Sequence, residues 1–165
     1  MTSNHKFLPV LISLTLLALA GKAQVHYTYL KAAKMVFVTP AGAEESDNKD
    51  HDTKINIKIQ GTYGFISSET LYNEDKEFAN DGSKNEVKLN VRTATRPFIP
   101  KSEFVSGKIT FKIIPEGDDT WIFKPTLMLE YSDGSRGKFV CDNNLKVSKD
   151  NPVATMNWGG HVEEK

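Results

Sequence analysis

Three stretches of the chain are rich in carboxylates, the oxygen ligands that hard cations prefer. Residues 40–52 (PAGAEESDNKDHD) contain five carboxylates, residues 73–85 contain four and residues 115–119 (PEGDD) contain three. Such clusters repel themselves unless a cation neutralises them, and Ca²⁺ takes six to eight oxygen ligands from loops. The sequence therefore predicts a calcium site. Its candidate ligands are Asp50, Asp52, Asp118 and Asp119, with Asp47 and Asp81 in second place.

The spacing of these residues does not match a known calcium loop. Residues 47–52 (DNKDHD) lack the central glycine and the distal glutamate of an EF-hand. Ordinary solvated loops without a metal are the alternative interpretation.

The segments between the acidic stretches alternate apolar and polar residues with a period of two. The alternation is clearest at 53–60, 86–92, 108–114 and 120–131, and it is typical of half-buried antiparallel strands. We expect these side chains to point into the core: Ile55, Ile57, Val87, Leu89, Phe111, Ile113, Trp121, Phe123, Leu127 and Leu129.

About eight short strands are expected, separated by Gly, Asp, Asn and Pro. The weaker candidates are 34–39, 65–71, 137–141 and 145–148. This pattern favours an all-β fold, a single antiparallel β-sandwich of the jelly-roll or a related type, with a closed barrel as the alternative.

Several local features refine this expectation. Pro125 cannot donate to a strand ladder, so its strand should lie at a sheet edge or carry a bulge. The only helical candidate, 23–34, is rich in β-branched and aromatic residues, which disfavour a helix. Cys141 alternates with Phe139 and should share its inward face. Residues 159–165 should form a flexible tail.

If successive strands run antiparallel, alternate loops share one end of the sandwich. The three acidic stretches, together with Asp142 and Asn143, would then lie at one end. The opposite end would carry Arg96, Lys101 and Arg136. The chain should therefore be acidic at one end and mildly basic at the other.

Some of these residues resemble a known family. Asp50-His51-Asp52-Thr53, followed by KINIKI and Gly61, is similar to the start of lipoxygenase-homology (PLAT) domains. The stretches GDDTW and YSDGS resemble patterns in β-sandwich modules of secreted bacterial proteins. Synaptotagmin-type lipid-binding domains also carry aspartates in loops at one end. The resemblance spans about residues 34–148 and implies a calcium-binding β-sandwich.

The N-terminus has the three-part pattern of a secretory signal peptide. Lys6 precedes an uncharged run of 14 residues, and Gly21 and Ala23 place small residues before Gln24. The run is too short for a comfortable membrane span. We expect residues 1–23 to be removed, residues 24–158 to form the domain, and the protein to be secreted or periplasmic, without a transmembrane segment.

Composition excludes several functional classes. The 21 basic and 21 acidic residues give a net charge of zero, which argues against a polybasic nucleic-acid binder. The single cysteine excludes an intramolecular disulfide framework and a cysteine-cluster metal site.

Catalytic motifs are absent from the sequence. It contains no HExxH zinc motif and no G-x-S-x-G elbow. Glu130, on the exposed face of its strand with Lys124, Thr126 and Met128, is the candidate acid for a jelly-roll carbohydrate-active enzyme. Four aromatic residues are candidates for stacking on a ligand: Tyr63, Tyr72, Phe98 and Trp158, of which Trp158 should be the most exposed.

The favoured function is therefore a secreted, non-enzymatic binding module, calcium-stabilised, for a carbohydrate, lipid or protein surface, with carbohydrate or protein preferred. The carbohydrate-active enzyme and a purely structural protein are the alternatives.

Overall fold

The computed structural model describes residues 27–40, 53–72, 84–91, 96–114, 120–159 and 163–164. These residues form ten strands and one short 3-10 turn, Lys101–Phe104. The strands are β1 (Leu30–Val38), β2 (Lys54–Gly61), β3 (Gly64–Tyr72), β4 (Lys84–Lys88), β5 (Ser106–Ile114), β6 (Thr120–Tyr131), β7 (Arg136–Val140), β8 (Leu145–Ser148), β9 (Val153–Gly159) and β10 (Glu163–Glu164).

The strands form two antiparallel sheets that pack face to face, which confirms the predicted β-sandwich. Sheet 1 has the order β10-β7-β6-β1-β4, with β8 also paired to β6. Sheet 2 has the order β3-β2-β5-β9. All pairings within the two sheets are antiparallel.

The period-two alternation places the apolar residues between the sheets. Along β6 every second side chain is buried, from Trp121 to Tyr131. All ten side chains predicted to point inward do so, and only Val87 among them is partly rather than fully buried. Cys141 also packs against the core but is half-buried rather than fully enclosed.

Four aromatic rings join the two sheets at the centre of the core. Phe37 of β1 lies 5.2 Å from Trp121 and 5.6 Å from Phe123 between ring centroids. Phe111 of β5 meets Phe123 edge to face at 5.2 Å, a favourable arrangement for aromatic pairs. The Trp121 indole N–H donates to the buried Thr39 hydroxyl at 3.1 Å, so the polar atom of this large side chain is satisfied.

Pro125 explains an interruption along one edge of β6. Both β7 and β8 run antiparallel to β6, β7 beside residues 126–130 and β8 beside residues 120–123. They are therefore two parts of one interrupted strand. Pro125 lies opposite the gap, where its carbonyl accepts from the Cys141 N–H at 3.0 Å. Because β6 also pairs with β1, it is a central strand. The break between β7 and β8 lies where Pro125 has no N–H to donate.

The same geometry corrects one predicted loop position. Residues 142–144 connect β7 to β8 beside the middle of β6, so Asp142 and Asn143 do not lie at the end of the sandwich. The prediction was wrong because β7 and β8 run in the same direction.

Other differences concern the two ends of the chain. The described part of the helical candidate is extended, and Leu30 begins β1. Strand β9 was not predicted, although Ala154, Met156 and Trp158 alternate inward. Within the predicted tail, Glu163–Glu164 pairs with β7. The predicted signal peptide, residues 1–23, lies outside the described residues.

Candidate functional site

The strand ends that border the three acidic stretches lie at one end of the sandwich. In sheet 1, Val38 at the end of β1 is in register with Lys84 at the start of β4. In sheet 2, Lys54 at the start of β2 is in register with both Tyr72 and Ile114, which end β3 and β5. Only five residues connect β5 to β6, which brings the start of β6 to the same end. The prediction that these stretches connect strands at one end is confirmed.

The predicted calcium ligands themselves lie outside the described residues: Asp47, Asp50, Asp52, Asp81, Asp118 and Asp119. Two buried polar atoms border this end of the sandwich. The hydroxyl of Thr53, a residue only 2% exposed, and the amide nitrogen of Asn85 have no hydrogen-bond partner among the described residues. A buried polar group without a partner costs about 1–3 kcal/mol, which a polar contact to either atom would relieve. Across the described ranges, no three His, Cys, Asp or Glu side chains are grouped to hold a metal.

Glu130, the candidate acid of the enzyme alternative, lies on the outward face of sheet 1. The Lys31 ammonium donates to its Oε1 at 2.7 Å, and this hydrogen bond holds the pKa of the carboxyl below its ordinary value. The positive charges of Lys31, Arg136 and Lys34 lower the pKa of Glu130 further. A general acid needs a raised pKa, whereas this environment keeps Glu130 ionised.

A crossing segment, residues 96–105, spans the two sheets at the other end of the sandwich. Its Ile99 carbonyl accepts from the Leu30 N–H at 2.8 Å in sheet 1, and its Glu103 carbonyl accepts from the Thr62 N–H at 2.9 Å in sheet 2. The nearly buried Glu103 carboxylate pairs with Arg96 at 2.7 Å. The segment is therefore fixed to both sheets and can position side chains rigidly.

An aromatic groove lies where the crossing segment meets the start of β1. It is an open surface groove of about 430 Å³, lined by Tyr27, Tyr29, Phe98 and Pro100. Phe98 stands edge to face against Tyr29 at 5.1 Å between ring centroids. Tyr27 is 77% exposed and Phe98 65% exposed, so two large rings face solvent. We refer to these four residues as the aromatic groove.

A polar network borders the groove along the same backbone. Asp133 accepts from the Ser135 hydroxyl at 2.6 Å and from the Thr28 hydroxyl at 3.3 Å. The Ser135 hydrogen bonds, from side chain first and then backbone, hold the pKa of Asp133 below its ordinary value. Lys101 donates to the Ser135 hydroxyl at 3.0 Å. These side-chain contacts tie the Tyr27–Tyr29 backbone and Lys101 to the turn that contains Asp133 and Ser135.

The aromatic candidates have mixed outcomes. Phe98 is exposed and lines the groove, and Tyr63 is 75% exposed but lies outside it. The side chain of Tyr72 is not described. The prediction for Trp158 was wrong, because this residue is only 6% exposed, packs 5.7 Å from the Phe139 ring and donates to the Phe104 carbonyl.

Sequence reasoning missed Tyr27 and Tyr29. They belong to the segment taken as a helical candidate, and the alternation in Tyr27-Thr28-Tyr29 was the signal for an extended chain. Their proximity to Phe98 depends on the pairing of Tyr29 with Pro100, two residues that are 71 positions apart in sequence.

Comparison with known proteins assigns no family. No family model matches the chain, and no curated protein matches it. In the part of the chain that the structure describes, no helix is both long and apolar enough to cross a membrane. The resemblance to PLAT domains stays a prediction from its short motifs.

Proposed function

We propose that this protein is a secreted, non-enzymatic binding module that recognises a carbohydrate through the aromatic groove. The observation that carries this proposal is a pair of solvent-facing rings, Tyr27 and Phe98, in one groove. A sugar ring has an apolar C–H face that stacks on an aromatic ring and hydroxyls that need hydrogen-bond partners. The groove offers the apolar surface for stacking, and the network of Asp133, Ser135 and Lys101 fixes the backbone that carries its rings.

The groove is held rigidly before any ligand binds. The Lys101 N–H donates to the Thr28 carbonyl at 3.0 Å, and the Ser132 N–H donates to the Tyr29 carbonyl at 2.9 Å. The start of β1 is therefore fixed from both sides. A preformed groove reduces the conformational entropy that a weakly binding ligand must overcome.

The size of the groove favours a sugar over a protein partner. A volume of about 430 Å³ is within the usual range for small-molecule sites, roughly 300–1,000 Å³. A stable protein interface buries about 800 Å² on each partner, far more than four residues provide. Binding of a protein or a lipid is therefore an outcome that the experiment must distinguish from binding of a sugar.

Calcium binding at the acidic end is part of the same proposal. Two observations support it. The strands that border the acidic stretches have their ends together there, and the Thr53 hydroxyl, directly after Asp52, is buried without a partner among the described residues. A metal there would stabilise the loops without contacting the groove, because the two features lie at opposite ends of the strands. Secretion rests on the predicted signal peptide.

The experiment is a binding screen of the protein against immobilised neutral glycans, followed by titration calorimetry with the best oligosaccharide. Phe98→Ala and Tyr27→Ala should each weaken binding about tenfold, which corresponds to roughly 1.4 kcal/mol. Tyr63→Ala is the matched control, because it removes an equally exposed tyrosine outside the groove and should leave affinity unchanged.

Chromatography of the oligosaccharide after long incubation should show no new products. Cleavage that survives Phe98→Ala and is lost in Glu130→Gln would favour the enzyme alternative. Equal loss of affinity in all three aromatic variants would refute the groove as the site, and absence of any glycan binding would refute the proposed ligand.

A further inference from the structure

The outward face of sheet 2 carries a regular row of lysines. Lys54 and Lys58 belong to β2, and Lys108 and Lys112 belong to the neighbouring β5. The register pairs Asn56 with Lys112 and Gln60 with Lys108. The lysines therefore alternate between the two strands at every second residue, in the order Lys54, Lys112, Lys58, Lys108. We refer to these four residues as the lysine row.

Strand geometry fixes the spacing of the row. Two residues along a strand span about 7 Å and neighbouring strands lie about 4.8 Å apart, so successive lysines are attached about 8 Å apart. The six residue steps from the level of Lys54 to that of Lys108 give the row a length of about 20 Å. A backbone with this regularity suits an extended ligand whose charges repeat along its length.

Along β2, β5 and β9, as far as the structure describes them, no acidic residue lies on this face. The other outward residues of β2 and β5 are uncharged: Asn56, Gln60, Ser106, Thr110 and Ile114. On the neighbouring β9, Val153, Thr155 and Asn157 complete the face. Glu69 of β3 is in register with the inward-pointing Ile57 and accepts from the Asn90 N–H at 2.8 Å, so it is not on this face.

Sheet 1 provides a contrast. There Lys31 pairs with Glu130 at 2.7 Å and Lys34 pairs with Glu86 at 3.1 Å. In the described part of the chain, Lys58, Lys108 and Lys112 form no such ion pair, and the ammonium of Lys58 lies 5.9 Å from the Phe65 ring. Two like charges 8 Å apart in water repel by about 0.5 kcal/mol, so an anionic ligand on this face would remove a repulsion of about that size for each neighbouring pair.

We propose that the lysine row binds a linear anionic polysaccharide, one that carries repeated carboxylate or sulfate groups. The ammonium groups complement its charges, and the interleaved hydroxyl and amide side chains complement its hydroxyls. Proteins that bind single-stranded nucleic acid also stack bases on aromatic rings. Beside the row, Phe65 of β3 is an exposed ring in register with Gln60, but the residues between the lysines of β2 and β5 are hydroxyl and amide side chains, which favours the polysaccharide. The row lies on a different surface from the aromatic groove and does not depend on it.

The test is titration calorimetry of the protein at low salt, in chelator, with polygalacturonate and dextran sulfate as the anionic probes. Lys58→Glu/Lys112→Glu should weaken binding of at least one probe by tenfold or more. Lys84→Glu/Lys88→Glu is the matched control, because it makes the same change in net charge on the exposed lysines of β4 in sheet 1. The control should retain affinity within about twofold, and both variants should melt like the parent protein.

Salt and competing ligands provide the remaining outcomes. Raising salt from 50 to 200 mM should weaken binding by roughly 20- to 40-fold, as expected when about three contacts release counterions. Neutral dextran should not bind, and Phe98→Ala should bind the anionic probe as well as the parent protein does. Equal loss in the two lysine variants, no binding of either anionic probe, or tighter binding of single-stranded DNA or anionic phospholipid vesicles would overturn the proposal.

Discussion

Gly107→Ala should destabilise the protein strongly, although it adds only one methyl group. Gly107 lies on the inward face of β5, in register with Trp158 of β9. A β-carbon at this position would overlap the Gln60 carbonyl oxygen and lie 2.6 Å from Cη2 of the Trp158 ring. The absence of a side chain therefore lets the indole lie across β5, where its N–H donates to the Phe104 carbonyl at 3.3 Å.

The magnitude follows from the atoms that the methyl group meets. Overpacking a core by a methyl group costs typically 1–3 kcal/mol. Because one of the groups contacted at Gly107 is a backbone carbonyl in a strand ladder, we expect about 2–3 kcal/mol. A domain of about 140 residues has an unfolding entropy near 0.3 kcal/mol/K, so the melting temperature should fall by roughly 7–10 °C.

Scanning calorimetry measures this change, and Gly159→Ala provides the matched control. Gly159 is in register with Ser106, next to Gly107, but a β-carbon there meets nothing within 4 Å. The control should leave the melting temperature unchanged or raise it by a few degrees, because alanine reduces the entropy of the unfolded chain. Equal melting temperatures for the two variants would refute the close packing of Trp158 on β5.

Three further predictions follow from individual contacts. Lys31→Met should raise the pKa of Glu130 toward its ordinary 4.5, which carbon NMR titration would detect. In the parent protein the pair contributes to stability above about pH 4.5, and this contribution is lost as pH falls through the depressed pKa. An unchanged titration would contradict the pairing. Thr39→Val removes the hydroxyl that accepts from the buried Trp121 N–H and should lower the free energy of unfolding by about 1–3 kcal/mol in urea titration, whereas no change would mean that the hydrogen bond is dispensable. Calcium at a hundredfold excess over its Kd should stabilise the protein by about 2.7 kcal/mol in a thermal melt, with Asp52→Asn blunting the gain; identical melts in calcium and chelator would leave the acidic stretches as solvated loops.

The sequence predicts the inward faces well because alternation is a local property of each strand. Successive side chains of a strand point to opposite faces, so Ile55, Ile57 and Phe111 lie in the core while their polar neighbours face outward. Pro125 shows where local reasoning ends. The missing donor indicated a sheet edge or a bulge in β6. The pairing of β7 and β8 along one edge of β6 shows instead that the neighbouring strand is the one interrupted.

The aromatic residues show a second limit of local reasoning. Trp158, beside two glycines, had the sequence context of an exposed ring, yet Gly107 on the neighbouring strand provides the space that buries it. Tyr29 and Phe98 form the groove only because the crossing segment returns to the start of β1. Both outcomes depend on contacts between residues distant in sequence, which neither composition nor periodicity contains.

Charge distribution is the most consequential property that composition hides. The chain is neutral as a whole, but the described residues contain fifteen Lys and Arg and nine Asp and Glu. A bound ligand responds to charges within about one Debye length, roughly 8 Å at physiological salt. Lys58 and Lys108 lie about 13 and 20 Å along the strands from the level of Lys54, where the acidic stretches begin. Lys58 and Lys108 therefore lie more than one Debye length from the strand ends where those stretches begin, and a neutral chain can present a cationic surface there.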